Sequence, residues 1–307
     1  MSNILEQISL TELRNVPVET VLAGIDRDLV HLPSYRDLYY RWERQQWSVH
    51  ELDFLADRLQ WENMTDEEQD EHLIGLFTFF QGEASVTDAL APYIIAMPDE
   101  EMRFFVTTQL VDETRHTIFF ARFFSEGLGI EVERVEETLV YARQFMNAAS
   151  KKLLVDSLAD IAERLRCEPH NLALLVEGVV LYHVITEGTM ALSGQKTLLE
   201  SYRKENLFPG FRSGFTAVAR DESRHVLFGM KFLRDMLQQE NSFVLTVEKA
   251  IEQYAPIAFA ALAPHASQIA TNSEEAWSTA RFARASLSKK LKVIGLTVEL
   301  PSLPEIA

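Results

Sequence analysis

Apolar residues recur every three to four positions along most of the chain, which is the spacing of one face of an α-helix. Thr65, followed by three acidic residues, predicts a helix N-terminus, and this helix should run to about Pro92 or slightly beyond. A second helix is predicted to begin with Pro98 in its first turn and to end near Gly127 and Gly129. No series of alternating β-branched residues predicts a β-strand.

The same periodicity predicts the remaining helices, and residues 1 to about 65 should form short helices and loops that wrap around them. The further helices should cover about 131–166, 170–205, 211–239, 242–270 and 273–291. The predicted fold class is all-α, a four-helix bundle with additional flanking helices. We expect a single domain over residues 1–307, with the core bundle at about 66–240.

Composition and charge narrow the function classes. The 307 residues carry a formal net charge of −17, which disfavours a nucleic-acid partner. Cys167 is the one cysteine, so an intramolecular disulfide is excluded and a reducing compartment is indicated. The apolar run Leu172 to Ile185 is interrupted by Glu177 and is too short to span a bilayer, and the N-terminus lacks the pattern of a signal peptide. These features predict a cytoplasmic protein without a membrane span.

A five-residue pattern, Asp-Glu-x-Arg-His, occurs twice, at 112–116 and 221–225. In each copy the glutamate and histidine are three residues apart, so they share one helix face. One Glu-x-x-His alone is often a solvated surface pair. Two copies within long predicted helices instead indicate that each supplies half of a dinuclear metal site.

Two further glutamates complete this hypothesis. Glu83 and Glu187 fall within the apolar stripes of the other two core helices, where an unpaired carboxylate is costly to bury. Glu177 competes with Glu187, but its helix stripe fits a bundle less well. The predicted ligands are Glu83, Glu113, His116, Glu187, Glu222 and His225. Four carboxylates and two imidazoles suit a pair of iron or manganese ions.

Asp112 and Asp221 directly precede the ligand glutamates of the two motif copies. We expect each aspartate to orient the histidine of the opposite motif, because a carboxylate bonded to the free ring nitrogen fixes the tautomer of a ligating imidazole. Arg115 and Arg224 should then balance the charge of the aspartates.

At these residues the chain resembles the ferritin-like family that includes ribonucleotide reductase small subunits, and more closely the R2-like ligand-binding oxidases. The resemblance extends from about Trp47 to about Gly229. Its motifs are Gln81-Gly82-Glu83-Ala84-Ser85-Val86, Asp112 to His116, Leu181-Tyr182-His183-Val184-Ile185-Thr186-Glu187-Gly188, Leu207-Phe208-Pro209-Gly210 and Asp221 to His225.

The resemblance implies the same six ligands, an Fe/Fe or Mn/Fe cofactor and O2 as co-substrate. It also implies a small-molecule or fatty-acid-like ligand, an external electron donor and a homodimer. Members of the oxidase family form an ether cross-link between a valine and a tyrosine, and Val86 and Tyr182 occupy the matching positions. The segment Ser193-Gly194-Gln195-Lys196 departs from the aromatic pattern of those oxidases.

His183 leaves two interpretations open, because it lies one turn before Glu187. It is either a pocket histidine outside the ligand set or a third metal-bound histidine. The latter would indicate a di-iron N-oxygenase that oxidises an amine or hydrazine, in which Val86 and Tyr182 stay unmodified.

Two other protein classes remain as alternatives. A ribonucleotide reductase small subunit fits less well, because Phe120 stands where such subunits usually have a radical tyrosine and no tyrosine follows Tyr254. A ferritin-like storage protein would need a cage assembly, against which the additional helices argue.

Overall fold

The computed structural model describes residues 8–130, 134–264 and 276–303. Within these residues every regular element is helical, which confirms the predicted all-α class. The helices are α1 (Val18–Val30), α2 (Tyr35–Arg44), α3 (Leu55–Glu62), α4 (Asp66–Ala96), α5 (Glu100–Arg122, extended by a π-helical turn Phe123–Leu128), α6 (Val135–Ala142), α7 (Ala148–Lys151, Lys152–Ser157 and Leu158–Cys167, the middle part π-helical), α8 (Leu172–Lys204), α9 (Pro209–Gln239), α10 (Phe243–Ala261) and α11 (Ser278–Val293).

Helices α4, α5, α8 and α9 form the core bundle. The short connections at 97–99 and 205–208 make α4 antiparallel to α5 and α8 antiparallel to α9. Between α5 and α8 the chain crosses over through α6 and α7, which pack on α4. Helices α10 and α11 pack on α8, and α10 also packs on α7, whereas α1 packs on α9. The predicted bundle with flanking helices is therefore present.

Both predicted N-termini of the first two core helices have polar caps. The Thr65 hydroxyl accepts a hydrogen bond from the Glu68 amide (3.3 Å), and the Glu68 carboxylate accepts one from the Thr65 amide (2.8 Å). This reciprocal arrangement satisfies two free donors at the start of α4. The Asp99 carboxylate accepts from the Glu101 amide (2.8 Å), so α5 begins after the cap and Pro98 precedes the helix instead of lying in its first turn.

The prediction of a single helix over 131–166 is wrong, because the structure has two helices there. The chain leaves the helix at 143–147, and a new helix begins where the Asn147 side chain accepts a hydrogen bond from the Ser150 amide (2.7 Å). A local side-chain cap therefore starts a second helix here, which apolar periodicity alone does not reveal. Parts of the last two predicted helices fall at 265–275, outside the described residues.

The middle of α8, Val180–Ala191, is π-helical, and the sequence did not predict this. Within it the Thr189 hydroxyl donates to the carbonyl five residues earlier, at Val184 (2.7 Å). Among the described helices, α8 is long and apolar enough to cross a membrane, but 83% of its most apolar window is buried inside the structure, as in a core helix. The wider helical turn occurs where α8 carries Glu187, and π-helical segments are frequent at functional sites.

Candidate metal centre

The structure brings together the six side chains predicted as metal ligands. They form two groups of four, Glu83–Glu113–His116–Glu222 and Glu113–Glu187–Glu222–His225, and within each group the candidate ligand atoms lie within 4.8 Å of one another. Glu113 and Glu222 belong to both groups. The arrangement therefore offers two adjacent cation positions bridged by two carboxylates.

Each histidine faces its group through Nδ1. His116 Nδ1 lies 3.1 Å from Glu83 Oε2, 3.5 Å from Glu113 Oε2 and 3.4 Å from Glu222 Oε1. His225 Nδ1 lies 3.2 Å from Glu113 Oε1, 3.5 Å from Glu187 Oε1 and 3.5 Å from Glu222 Oε2. The two halves are thus related by approximate two-fold symmetry, as the doubled motif predicts.

Several of these atoms are buried without a hydrogen-bond partner among the described residues. They are the Oε2 atoms of Glu113, Glu187 and Glu222 and Nδ1 of His225. Buried polar atoms are normally paired, and carboxylates are costly to bury unless a cation or donor compensates. Two divalent cations would compensate all four carboxylates, so these residues fit a dinuclear centre of Fe or Mn.

The pKa values describe the same crowding of charge. Burial raises the pKa of Glu83 to about 8, although the neighbouring His116 opposes the shift. Burial and the charge of Glu222 also raise the pKa of Glu187. Burial would raise the pKa of Glu113 as well, but the close imidazoles of His116 and His225 outweigh burial and hold the pKa below the usual range. Without cations, the cluster must hold protons.

Asp112 and Asp221 lie where the sequence predicts, each against the histidine of the opposite motif. Asp221 Oδ2 is 3.4 Å from His116 Nε2, and Asp112 Oδ2 is 3.2 Å from His225 Nε2. Arg224 donates to Asp112 (2.8 Å) and pairs with Asp221 (2.8 Å). The carboxylates hold the Nε2 side of each ring, so that Nδ1 is presented to the glutamates.

Two tryptophans extend this layer toward the outer helices. Trp47 Nε1 donates to Asp221 Oδ2 (2.7 Å), and Trp42 Nε1 donates to Asp112 Oδ1 (3.0 Å). Arg115 donates to Asp112 (2.9 Å). These two bonds were not predicted, because no spacing in the sequence connects the tryptophans to the motifs.

His183 does not belong to either group of candidate ligands. Its Nε2 lies 3.0 Å from Gln109 Oε1, and the Gln109 amide nitrogen donates to Glu187 Oε1 (2.9 Å). The imidazole is therefore connected to the centre through Gln109, as the first of the two interpretations expects. Gln109 was missed, although its position four residues before Glu113 places it on the same helix face.

Glu177, the competing third-helix candidate, lies away from the centre. Its carboxylate pairs with Arg164 (3.0 Å) and accepts a hydrogen bond from the Tyr254 hydroxyl (3.0 Å). The ion pair with Arg164 therefore accounts for the position of the Glu177 carboxylate, and Glu187 is the candidate metal ligand on α8.

Val86 and Tyr182 are both buried, at 4% and 0% exposure. The Tyr182 hydroxyl donates to Glu113 Oε1 (3.2 Å), so the phenol reaches one of the shared carboxylates. Val86 lines a cavity of about 1100 Å³ together with Glu83, Glu113, Glu187 and Glu222. The cavity therefore connects the cluster to space that a small molecule can occupy.

Comparisons with known proteins agree with this geometry. The profile of the family "Ribonucleotide reductase, small chain" matches residues 30–267. Among solved structures, a tyrosine-to-phenylalanine variant of an R2-like ligand-binding oxidase with an aerobically reconstituted Mn/Fe cofactor is similar to this chain, with a TM-score of 0.75, 22% identity and coverage of 85% of this chain and 93% of that one. A glycine-to-phenylalanine variant of such an oxidase, with an anaerobically reconstituted Mn/Fe cofactor, gives a TM-score of 0.72 at the same identity and coverage. At this identity the structural likeness establishes the fold.

Proposed function

This chain belongs to the ribonucleotide reductase small chain family, and from that premise we propose that it is an O2-activating oxidoreductase with a dinuclear non-heme metal centre. Its substrate would be a small or lipid-like organic molecule. The observation that supports this proposal best is the pair of four-residue groups that share Glu113 and Glu222.

The cofactor would be two iron ions or one manganese and one iron ion, which the hard carboxylate donors accept alike. The Mn/Fe cofactor of the similar oxidases supports this choice. When bound, the metal pair supplies the redox chemistry with O2, using electrons from an external donor. Glu83 and His116 would complete one position, and Glu187 and His225 the other.

The protein's own residues would fix the centre in place and keep it dry. Asp112 and Asp221 accept the Nε2 protons of the histidines, which leaves both Nδ1 atoms free to bind metal. On one side, Phe120 contacts only other phenylalanine rings among its described aromatic neighbours. This apolar layer would exclude water and offers no phenol for a stable tyrosyl radical, which argues against a reductase subunit.

We also propose that Val86 and Tyr182 become joined by an ether bond. Val86 would lose a hydrogen from carbon and Tyr182 the hydrogen of its hydroxyl, so that the new C–O bond requires a two-electron oxidation with O2 as the oxidant. Support comes from the burial of both residues and the contact of Tyr182 with Glu113. The N-oxygenase alternative lacks its main argument, since His183 bonds Gln109 and lies outside the candidate ligand groups.

A homodimer and a cytoplasmic location remain proposals. Past its first turn, α5 exposes only Phe104, Thr107, Val111, Thr114 and Ile118. This stripe has heptad spacing and no charge, and its large and small residues alternate symmetrically about Val111. It suits antiparallel pairing with the same helix of a second copy.

Metal loading followed by oxidation tests the proposal. The apoprotein would be loaded anaerobically with Fe and Mn, counted for metals, exposed to O2 and analysed by peptide mass spectrometry. We expect two metal ions per chain and a cross-linked peptide pair that lacks two hydrogens. Fewer than two metals would refute the dinuclear centre, and unlinked Val86 and Tyr182 peptides would refute the cross-link alone.

A matched pair of variants on α8 tests the ligand assignment. Glu187→Ala should lower the metal content, whereas Glu177→Ala should leave it unchanged because that carboxylate pairs with Arg164. Full metal content in Glu187→Ala would show that the ligand on this helix is misassigned.

A further inference from the structure

Thr186 has a buried hydroxyl without a hydrogen-bond partner among the described residues. Several other helical threonines of this bundle satisfy their hydroxyls within their own helix. Thr78 donates to the Ile74 carbonyl (2.8 Å), Thr87 to that of Glu83 (2.8 Å) and Thr189 to that of Val184 (2.7 Å). Such bonds back to the preceding turn are the usual solution for a helical threonine, so Thr186 is the exception that needs an explanation.

The position of Thr186 suggests what the hydroxyl is for. It directly precedes Glu187, and the residue is 4% exposed. Like Val86 and Glu83, it lines the cavity beside the candidate metal centre. A molecule in the inner part of this cavity would therefore lie against Thr186 while it faces the metal ligands.

The charged residues of the cavity wall restrict whether the inner group of such a molecule is charged or neutral. Apart from the carboxylates that the metals would neutralise, the charged residues that line the cavity lie toward the N-terminal end of α4 or along and just after the C-terminal part of α8. They are Glu71, Lys196, Glu200, Lys204 and Glu205. Glu71 precedes Glu83 by twelve residues, so it is about 18 Å away along the helix. Near the centre the four ligand carboxylates would balance the charge of two divalent cations, and the described lining residues supply no further counter-ion for a charged group. A neutral polar group would find the Thr186 hydroxyl.

We propose that Thr186 is a substrate-positioning residue whose hydroxyl binds a neutral hydrogen-bonding group, such as an alcohol, at the inner end of a mostly apolar molecule. This rests on the proposed function, since it places that group beside the metal centre. Because the hydroxyl both donates and accepts, it can bond an alcohol in either sense. The molecule would satisfy an atom that the protein leaves unpaired, which gives it an advantage over an analogue of equal size without the polar group.

Binding of two probes of the same length tests this. Zinc-loaded protein, which does not turn over, would be titrated with octan-1-ol and with 1-chlorooctane by calorimetry. We expect wild type to bind the alcohol about tenfold more tightly, the value of one hydrogen bond. Thr186→Val should abolish this preference, and Thr186→Ser should retain it.

Three outcomes would overturn the proposal: wild type without a preference, Thr186→Val with the wild-type preference, or no binding of either probe. The zinc content is measured separately on each sample. A protein that holds fewer than two zinc ions but keeps the alcohol preference would contradict the proposed dinuclear centre and not the role of Thr186.

Thermal unfolding provides a second readout that needs no ligand. Thr186→Val should keep or raise the melting temperature, because it replaces an unpaired hydroxyl by a methyl group of the same shape. Thr189→Val, the control one turn away, should lower it by about 2–4 °C because it breaks a bond inside the helix. An equal loss in Thr186→Val would mean that the hydroxyl is paired in the folded protein, and the proposal would fail.

Discussion

The imidazole of His183 donates a hydrogen bond of 3.0 Å from Nε2 to the side-chain oxygen of Gln109. Gln109 uses its amide hydrogens on Glu187 (2.9 Å), so its oxygen must act as the acceptor and the proton of His183 is assigned to Nε2. The other ring nitrogen has no partner among the described residues. His183 is thus a neutral imidazole that holds Gln109, and Gln109 in turn orients a candidate metal ligand.

Replacing Gln109 and replacing His183 should have different effects on metal binding. Gln109→Leu leaves Glu187 without its donor, and loss of such an outer partner is expected to weaken metal binding about 10- to 100-fold. His183→Phe should still hold two metal ions, because its imidazole is outside the ligand groups. Metal titration of the apoproteins measures both effects. A His183→Phe protein that binds only one ion would revive the three-histidine alternative.

The neutrality of His183 should appear as a pH dependence of stability. Burial lowers the pKa of His183 to about 3, with a further contribution from the nearby His225. A histidine in the unfolded chain takes up a proton below about pH 6.5, whereas His183 in the folded protein stays neutral down to about pH 3. Stability is therefore lost as the pH falls from 6.5 toward 3. Between pH 7 and pH 5 this residue alone should cost about 2 kcal/mol.

Denaturant unfolding of wild type and His183→Gln at several pH values measures this contribution. The difference in unfolding free energy between the two proteins cancels the background from other groups. That difference should change by about 2 kcal/mol between pH 7 and pH 5. A constant difference would show that His183 takes up its proton equally in the folded state.

The sequence predicted the four core helices and the six candidate ligands because both follow from helical periodicity. Glu113 and His116 lie one turn apart on one face, and this spacing has the same meaning in any bundle. The π-helical stretch around Glu187 was not predictable, because apolar periodicity does not distinguish a π-helix from an α-helix. In the structure this stretch packs against α9, α10 and α11. The bonds of Trp47 and Trp42 to the aspartates were missed for a similar reason, since they join residues that are far apart in the chain.

The aspartates that face the histidines should tune metal binding in both halves of the centre. Asp221→Asn and Asp112→Asn each replace a carboxylate at Nε2 by an amide, which makes the histidine a weaker ligand. We expect each variant to lose about 10- to 100-fold in affinity for the metal bound by the histidine that the aspartate contacts. Competition with a chelator measures the two affinities. Asp235→Asn, which alters a carboxylate bonded to Tyr35 away from the centre, serves as the control.

Asp57 should matter for stability, because it caps the fourth core helix from a distant helix. Its carboxylate accepts hydrogen bonds from the amides of Gly210 (2.9 Å) and Phe211 (2.8 Å), at the start of α9. Asp57→Ala should lower the unfolding free energy by about 2 kcal/mol, since it leaves two buried donors unpaired. Asp66→Ala, at an exposed position in the first turn of α4, should change it by less than about 0.5 kcal/mol. Equal effects in urea unfolding would contradict this role.

Gly229 leaves the space in which His183 sits, and a second helical glycine provides a matched comparison. A Cβ atom added to Gly229 would lie 2.3 Å from the His183 Cβ, which cannot swing away because it is attached to the α8 backbone. Gly229→Ala should therefore destabilise the protein by about 2 kcal/mol or more and displace His183 from Gln109.

At Gly75, by contrast, an added Cβ meets no atom within 4 Å. Gly75→Ala should raise the unfolding free energy by about 0.5–1 kcal/mol, because alanine loses less conformational entropy in a helix. Denaturant midpoints of the two variants should move in opposite directions, and a shift in the same direction would show that the contact with His183 does not determine the residue at 229.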